Sequence, residues 1–156
     1  MENIVEDLYF TKINLLKTNY KPYKDSKILT DINIPELNEI YYKYARYKKF
    51  KSFMPIHDCE YIDNEIMGYF DKGKLVAWSM ISIYDDRNAE CYQFAWDYKN
   101  PKLHLGIKSL RNECAIYKAR GFVNYYLGFH SEYKSKIKGY EVLGPLPNTG
   151  HLENEI

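Results

Sequence analysis

Two carboxylates, a histidine, a glycine and a run of lysines in the second half of the chain have the types and spacing to do chemistry. Glu90 and Asp97 bracket an aromatic stretch, residues 91–96. Either can take a proton from an incoming ammonium group. Asp97, just before Asn100-Pro101, is equally suited to capping a turn or the next helix. Glu90 falls at period two on the face of Tyr92, Phe94 and Trp96, where burial would raise its pKa; the alternative is a solvated edge. His104 can bind phosphate or serve as a base near neutral pH, or sit in a surface loop. Gly106 lets a ligand approach the backbone, or is simply a cap or turn residue. Lys134, Lys136 and Lys138 form a basic rim able to meet phosphates, or guard a strand edge against aggregation.

Other chemistries find little support. The four histidines, His57, His104, His130 and His151, share no metal-ligand spacing, so no metal site is expected. There is no nucleophile elbow and no phosphate-binding P-loop. Cys59, Cys91 and Cys114 are scattered and form no CxxC pair, which predicts reduced thiols in a cytoplasmic setting. The first ten residues carry Glu2, Glu6 and Asp7 and no apolar run, so no signal peptide is expected. No stretch is apolar for long enough to span a membrane. With 22 basic and 21 acidic residues the net charge is +1, so nothing global demands a nucleic-acid partner. The local basic run of Lys43, Arg46, Lys48, Lys49 and Lys51, followed by Asp58, Glu60, Asp63 and Glu65, is read as a solvated face.

The elements that must position these residues follow from periodicity. A chain of 156 residues fits one domain, expected over 1–144 with a flexible tail over 145–156. A strand is possible near residues 8–15. Pro35 and the spacing of Leu37, Ile40, Tyr41, Tyr44 and Tyr47 predict a helix over 35–53, ended by Met54-Pro55. Three strands follow, 65–70, 75–84 and 89–96, joined by tight turns at Asp71–Lys74 and 85–88. The middle strand is apolar on both faces and should be central. Residues 103–120 form an amphipathic helix, with Leu103, Ile107, Leu110, Cys114 and Tyr117 on its apolar face and Gly121 as its cap. Cys114 is a core residue. Residues 122–129 form the next strand, parallel to 89–96 through a right-handed crossover. The class is α/β with a mixed sheet, an antiparallel meander followed by a β-α-β crossover.

This element order resembles the GNAT acyltransferase fold. WDYKNP at 96–101, then LHLGIKSLRNECAIYKARG, VNYYLGF and EYKSKIKGYEVLGP, resemble the catalytic domain of arginyl-tRNA–protein transferases over roughly residues 90–145. Leu105-Gly106, Tyr126–Phe129 and Tyr133-Lys134 carry the match through their order and spacing. Two features depart from the pattern. The loop 100–106 has a single glycine where GNAT acetyltransferases carry a glycine-rich loop for the coenzyme A pyrophosphate. The cysteine-bearing N-terminal domain of arginyltransferases lies outside the resemblance, and what it contributes is not expected of these residues.

The resemblance implies transfer of an acyl or aminoacyl group to an amine on a protein, small molecule or nucleic acid. The donor would be an acyl-coenzyme A or a charged tRNA, with no metal. The donor would lie where strands 89–96 and 122–129 splay apart, against the backbone of Phe94, Ala95 and Trp96. The helix start, Leu105, Gly106, Ile107, Lys108 and Ser109, would face it. Tyr133 would protonate the leaving group and Lys134 would meet phosphate, leaving Asp97 and Glu90 as candidate proton acceptors. Two rivals stand beside this reading. One is a non-catalytic binding module on the same fold; the other is an enzyme modifying a nucleic-acid base, with the basic helix on the phosphates.

Overall fold

The structure, a computed structural model, describes residues 8–56, 64–97, 103–129 and 131–146. Seven strands and two helices follow one another: β1 (Leu8–Asn14), β2 (Ser26–Ile28), α1 (Ile34–Lys48), β3 (Asn64–Asp71), β4 (Lys74–Ile83), β5 (Asn88–Trp96), α2 (Leu105–Ala119), β6 (Asn124–Phe129) and β7 (Tyr140–Leu146). They build one sheet in the order β2-β3-β4-β5-β6-β1-β7. All neighbours pair antiparallel except β5 and β6, which are parallel across the α2 crossover.

Local chemistry explains the meander. Lys72 and Gly73 both have positive φ, 51° and 80°, as a two-residue hairpin turn between β3 and β4 requires. At the next turn the Asp85 carboxylate accepts from the backbone N–H of Arg87 and Asn88, both at 2.8 Å. β4 is buried along most of its length, as its two-sided apolar pattern predicts.

Alternate residues of the sheet feed two cores on opposite faces. Met67, Tyr69, Ala77 and Ile81 pack under α2 with Leu110, Cys114 and Tyr117. Ile66, Trp78, Met80 and Ala95 pack under α1 with Leu37, Ile40, Tyr41 and Ala45. Trp78 is fully buried, and its indole N–H donates to the Leu37 carbonyl at 2.9 Å, tying β4 to α1.

Several expectations need correction. α1 ends at Lys48 rather than at residue 53: Lys49 takes the left-handed cap conformation, φ 60°, and Phe50 N–H returns to Ala45 C=O at 2.9 Å. Tyr47, still within α1, is exposed, and Ala45 is buried on the stripe with Leu37, Ile40 and Tyr41. β2 and β7 add two strands that the periodicity did not predict. β7 runs to Leu146, past the boundary set at 144. Residues 147–156, Asn100-Pro101, Cys59, His57, His130 and His151 lie outside the described residues.

One glycine on this edge carries a prediction. Gly139 has φ 80°, and a Cβ placed there would lie 2.5 Å from the Asn14 carbonyl oxygen. Gly121 also has positive φ, 96°, with nothing within 4 Å of such a Cβ. Gly121→Ala should cost about 1–2 kcal/mol of backbone strain. Gly139→Ala should cost more, because the same strain meets a backbone clash. Urea unfolding of the two variants measures the difference; equal losses would contradict it.

Candidate active site

The sheet opens between β5 and β6. Their parallel pairing covers only Asn88–Asn124, Ala89–Tyr125 and Glu90–Tyr126. At that level each strand carries a bulge. In β5, Met80 pairs with Gln93 and Ile81 with Cys91, so Tyr92 is the extra residue. In β6, Thr11 pairs with Gly128 and Lys12 with Tyr126, so Leu127 is extra, and Gly128 bends the strand with φ 76°. Bulges bend and twist the strand that carries them. The two strands part there and leave a cleft of about 470 Å³ that reaches both faces of the sheet.

Its walls come from four elements. Cys91, Tyr92, Gln93 and Phe94 of β5 face Leu127 and Gly128 of β6. Gly106, Ser109 and Leu110 of α2 close one side; Tyr41 and Tyr44 of α1, with Phe50 and Met54 beyond it, close the other. Tyr133 and Lys134 complete the rim, and Glu90 and Lys134 are the two charged residues among those lining it. Phe94 and Tyr44 meet edge to face at 5.9 Å, so the two faces of the sheet are joined across the opening.

Half of the expected donor-site and catalytic residues converge here. Phe94, Gly106, Ser109, Tyr133, Lys134 and Glu90 line the cleft. The others fall elsewhere. Ala95 is buried under α1 and Leu105 in the core beside α2. Trp96 packs against the α2-side core, and Ile107 and Lys108 are half-buried on α2 away from the lining. Asp97 is not among the lining residues either: it is 5% exposed, with its carboxylate 3.8 Å from Lys43 Nζ of α1 and its N–H on the Val76 carbonyl. The bulge at Tyr92 also moves Glu90 off the face of Phe94 and Trp96. Glu90 lies opposite Ser82, while Phe94 and Trp96 lie opposite Ser79 and Ala77, and the Glu90 carboxylate accepts the Tyr84 hydroxyl.

Electrostatics follow from this geometry. His104 enters α2 with φ 52° and makes no side-chain cap, so the first amides of the helix precede its first hydrogen bond, Lys108 N–H to His104 C=O. Such a helix start favours negative charge. The Tyr133 ring lies over Gly106, 4.0 Å from where a Cβ would stand. The ring is 43% exposed, yet burial around its hydroxyl, with Tyr44 nearby, pushes its pKa up. Lys134 Nζ donates to the Leu127 carbonyl at 3.0 Å, and burial lowers its pKa.

One residue escaped the sequence reading. Glu113 of α2 is fully buried directly beneath the cleft. Its carboxyl accepts from Tyr69 of β3 at 2.5 Å, Ser79 of β4 at 2.7 Å and Tyr125 of β6 at 2.5 Å. Burial raises its pKa, against the pull of the hydroxyls and of the neighbouring Cys91. The Cys91 thiol, which lines the cleft, is pushed up by burial and by Glu113. The signal lay in the spacing: position 113 falls between Leu110 and Tyr117 on the apolar stripe of α2, where a carboxylate needs partners. No group of metal-ligating side chains occurs among the described residues. Nor is any helix there long and apolar enough to cross a membrane.

Residues 17–143 match the family described as arginine-tRNA-protein transferase, C terminus. The chain belongs to that family. No curated protein matches it by sequence. Among solved structures it is similar to a Novosphingobium aromaticivorans protein assigned to the GNAT family of acetyltransferases, with TM-score 0.60 and 15% identity, over 87% of this chain and 60% of that one. It is similar to a GCN5-related N-acetyltransferase from Kribbella flavida, with TM-score 0.58 and 13% identity, over 97% and 62%. A third is the N-myristoyltransferase of Saccharomyces cerevisiae with bound myristoyl-CoA, with TM-score 0.53 and 12% identity, over 78% and 41%. At these identities the structures establish the GNAT-type fold, and this chain spans under two thirds of each.

Proposed function

We propose that this chain transfers an aminoacyl group from a charged tRNA to an amine, with the donor carbonyl held where β5 and β6 part beside the start of α2. The observation that carries the reading is that parting, with Gly106, Tyr133 and Lys134 gathered around it. Family membership favours tRNA as donor, and so does the presence of a single glycine, Gly106, in residues 100–106 leading into α2.

In this reaction the acceptor ammonium loses a proton to Glu90. The free amine attacks the ester carbonyl, whose oxygen is stabilised by amides at the start of α2. The C–N bond forms as the C–O bond to the terminal ribose breaks. Tyr133 donates its proton to the departing oxygen. It regains one through solvent from the attacking nitrogen, which sheds its second proton as the amide forms, while protonated Glu90 releases its proton to solvent. Lys134 meets a donor phosphate. Asp97 acts from outside the cleft, holding Lys43 and with it α1 against the opening.

Thermal shift with charged tRNA, acetyl-coenzyme A and duplex DNA tests the reading, because a ligand that binds only the folded state raises the melting temperature. Charged tRNA is expected to raise it and duplex DNA to leave it unchanged. Gly106→Val should abolish the shift without lowering the melting temperature of the free protein appreciably, since a Cβ at this position meets only the Tyr133 ring, at 4.0 Å. A shift with acetyl-coenzyme A alone would replace tRNA as donor. A shift that survives in Gly106→Val would move the donor away from α2.

A further inference from the structure

The basic run read as a solvated face has a second property. Residues 40–56 contain Lys43, Arg46, Lys48, Lys49 and Lys51, six aromatic residues, and no carboxylate. Lys43 turns inward to Glu39 and Asp97. The other four cations are exposed. Tyr47, Phe50, Phe53 and Met54 are 54%, 42%, 44% and 66% exposed, a concentration of apolar surface beside the cleft. The rings form a continuous path. Phe94 at the cleft wall meets Tyr44 at 5.9 Å, and Tyr44 meets Phe50 at 5.7 Å. Alongside, Phe53 meets Tyr42 at 5.6 Å, and the Arg46 guanidinium lies over Tyr42 at 5.9 Å.

We propose that this ridge, from Arg46 to Met54, is the docking surface for a single-stranded RNA 3′ end, whose last nucleotide enters the cleft past Phe50. The inference rests on the reading of a tRNA donor and assigns the surface that would hold it. Exposed rings offer stacking faces to unpaired bases, and cations along the same ridge match the phosphates between them. A duplex keeps its bases stacked on one another and leaves those rings without a partner. Acyl-coenzyme A carries one base and cannot cover the ridge. An acidic peptide would use the cations and leave the rings exposed.

The test is fluorescence anisotropy with a labelled short single-stranded RNA ending in CCA, the same RNA as a duplex, and a polyglutamate peptide. Wild type is compared with Phe50→Ala/Phe53→Ala and with Lys48→Gln/Lys49→Gln/Lys51→Gln. All five side chains are exposed, and circular dichroism checks that each variant is folded. Single-stranded RNA should bind more tightly than duplex. The aromatic variant should lose roughly tenfold to hundredfold in affinity, the effect of one or two lost stacking contacts. The lysine variant should flatten the slope of log affinity against log salt by about 2. Equal RNA binding by folded variants, or tighter binding of polyglutamate, overturns the ridge assignment. If ridge variants also accept aminoacyl groups from tRNA at the wild-type rate, the ridge falls and the transferase reading stands. If wild type transfers only from acyl-coenzyme A and binds no RNA, the tRNA donor falls and takes the ridge with it.

Discussion

Glu113→Ala is expected to destabilise the fold by about 4 kcal/mol in urea unfolding. The figure combines about 1 kcal/mol each for the buried Ser79 and Tyr125 hydroxyls left without that acceptor, less for Tyr69, whose hydroxyl also reaches the Ser109 carbonyl at 3.1 Å, and the void beneath the cleft. Tyr69, Ser79 and Tyr125 come from three different strands, so their shared carboxyl ties β3, β4 and β6 to α2 across the opening. Glu113→Gln keeps the volume and some of the bonds, and should cost about 1–2 kcal/mol at neutral pH. The pH dependence has a definite sign. Burial raises the Glu113 pKa above its ordinary 4.5, so the folded state holds a proton that the unfolded state has released. Wild-type stability relative to Glu113→Gln must therefore fall as pH rises above about 4.5, and level off once the folded carboxyl has ionised. A difference independent of pH would show that Glu113 is not held in its protonated form by burial.

Tyr133→Phe is expected to lower kcat by about a hundredfold, with KM within about a factor of two. A positioned acid is worth that much when it acts only on the leaving group. The ring stays, and with it the packing over Gly106. The upward shift of the Tyr133 pKa keeps its hydroxyl protonated through the neutral range, which is the form a proton donor needs. Steady-state kinetics with a saturating acceptor separate the two constants. Unchanged kcat removes Tyr133 from the chemistry; a rise in KM alone makes it a binding residue.

The parts of this molecule legible in the sequence were those with strong local signals. The two-sided apolar pattern of β4, the turn at Lys72-Gly73 and the amphipathic α2 fixed the meander and the crossover, and the resemblance to the GNAT fold and to arginyltransferases held. β2 is three residues long and β7 contains Gly144 and Pro145, so neither shows a strand period. The bulges were invisible for a different reason. One extra residue at Tyr92 leaves no mark in composition, yet it inverts the alternation that put Glu90 beside Phe94, and with Leu127 it opens the cleft. Gly106, Tyr133 and Lys134, which line the cleft, were singled out through motif order. Glu113 was missed because its partners lie 44, 34 and 12 positions away, and no local pattern announces three hydroxyls arriving from other strands.

The most direct measurement is transfer itself. The protein is incubated with a radiolabelled pool of aminoacyl-tRNAs, or with labelled acetyl-coenzyme A, and peptides bearing free α-amines. Product is scored as label in an amide that survives mild alkali, which cleaves aminoacyl esters. The cleft account predicts amide product from aminoacyl-tRNA with wild type and its loss in folded Gly106→Val. Folded wild type that forms no amide from either donor, or a Gly106→Val variant as active as wild type, would contradict it.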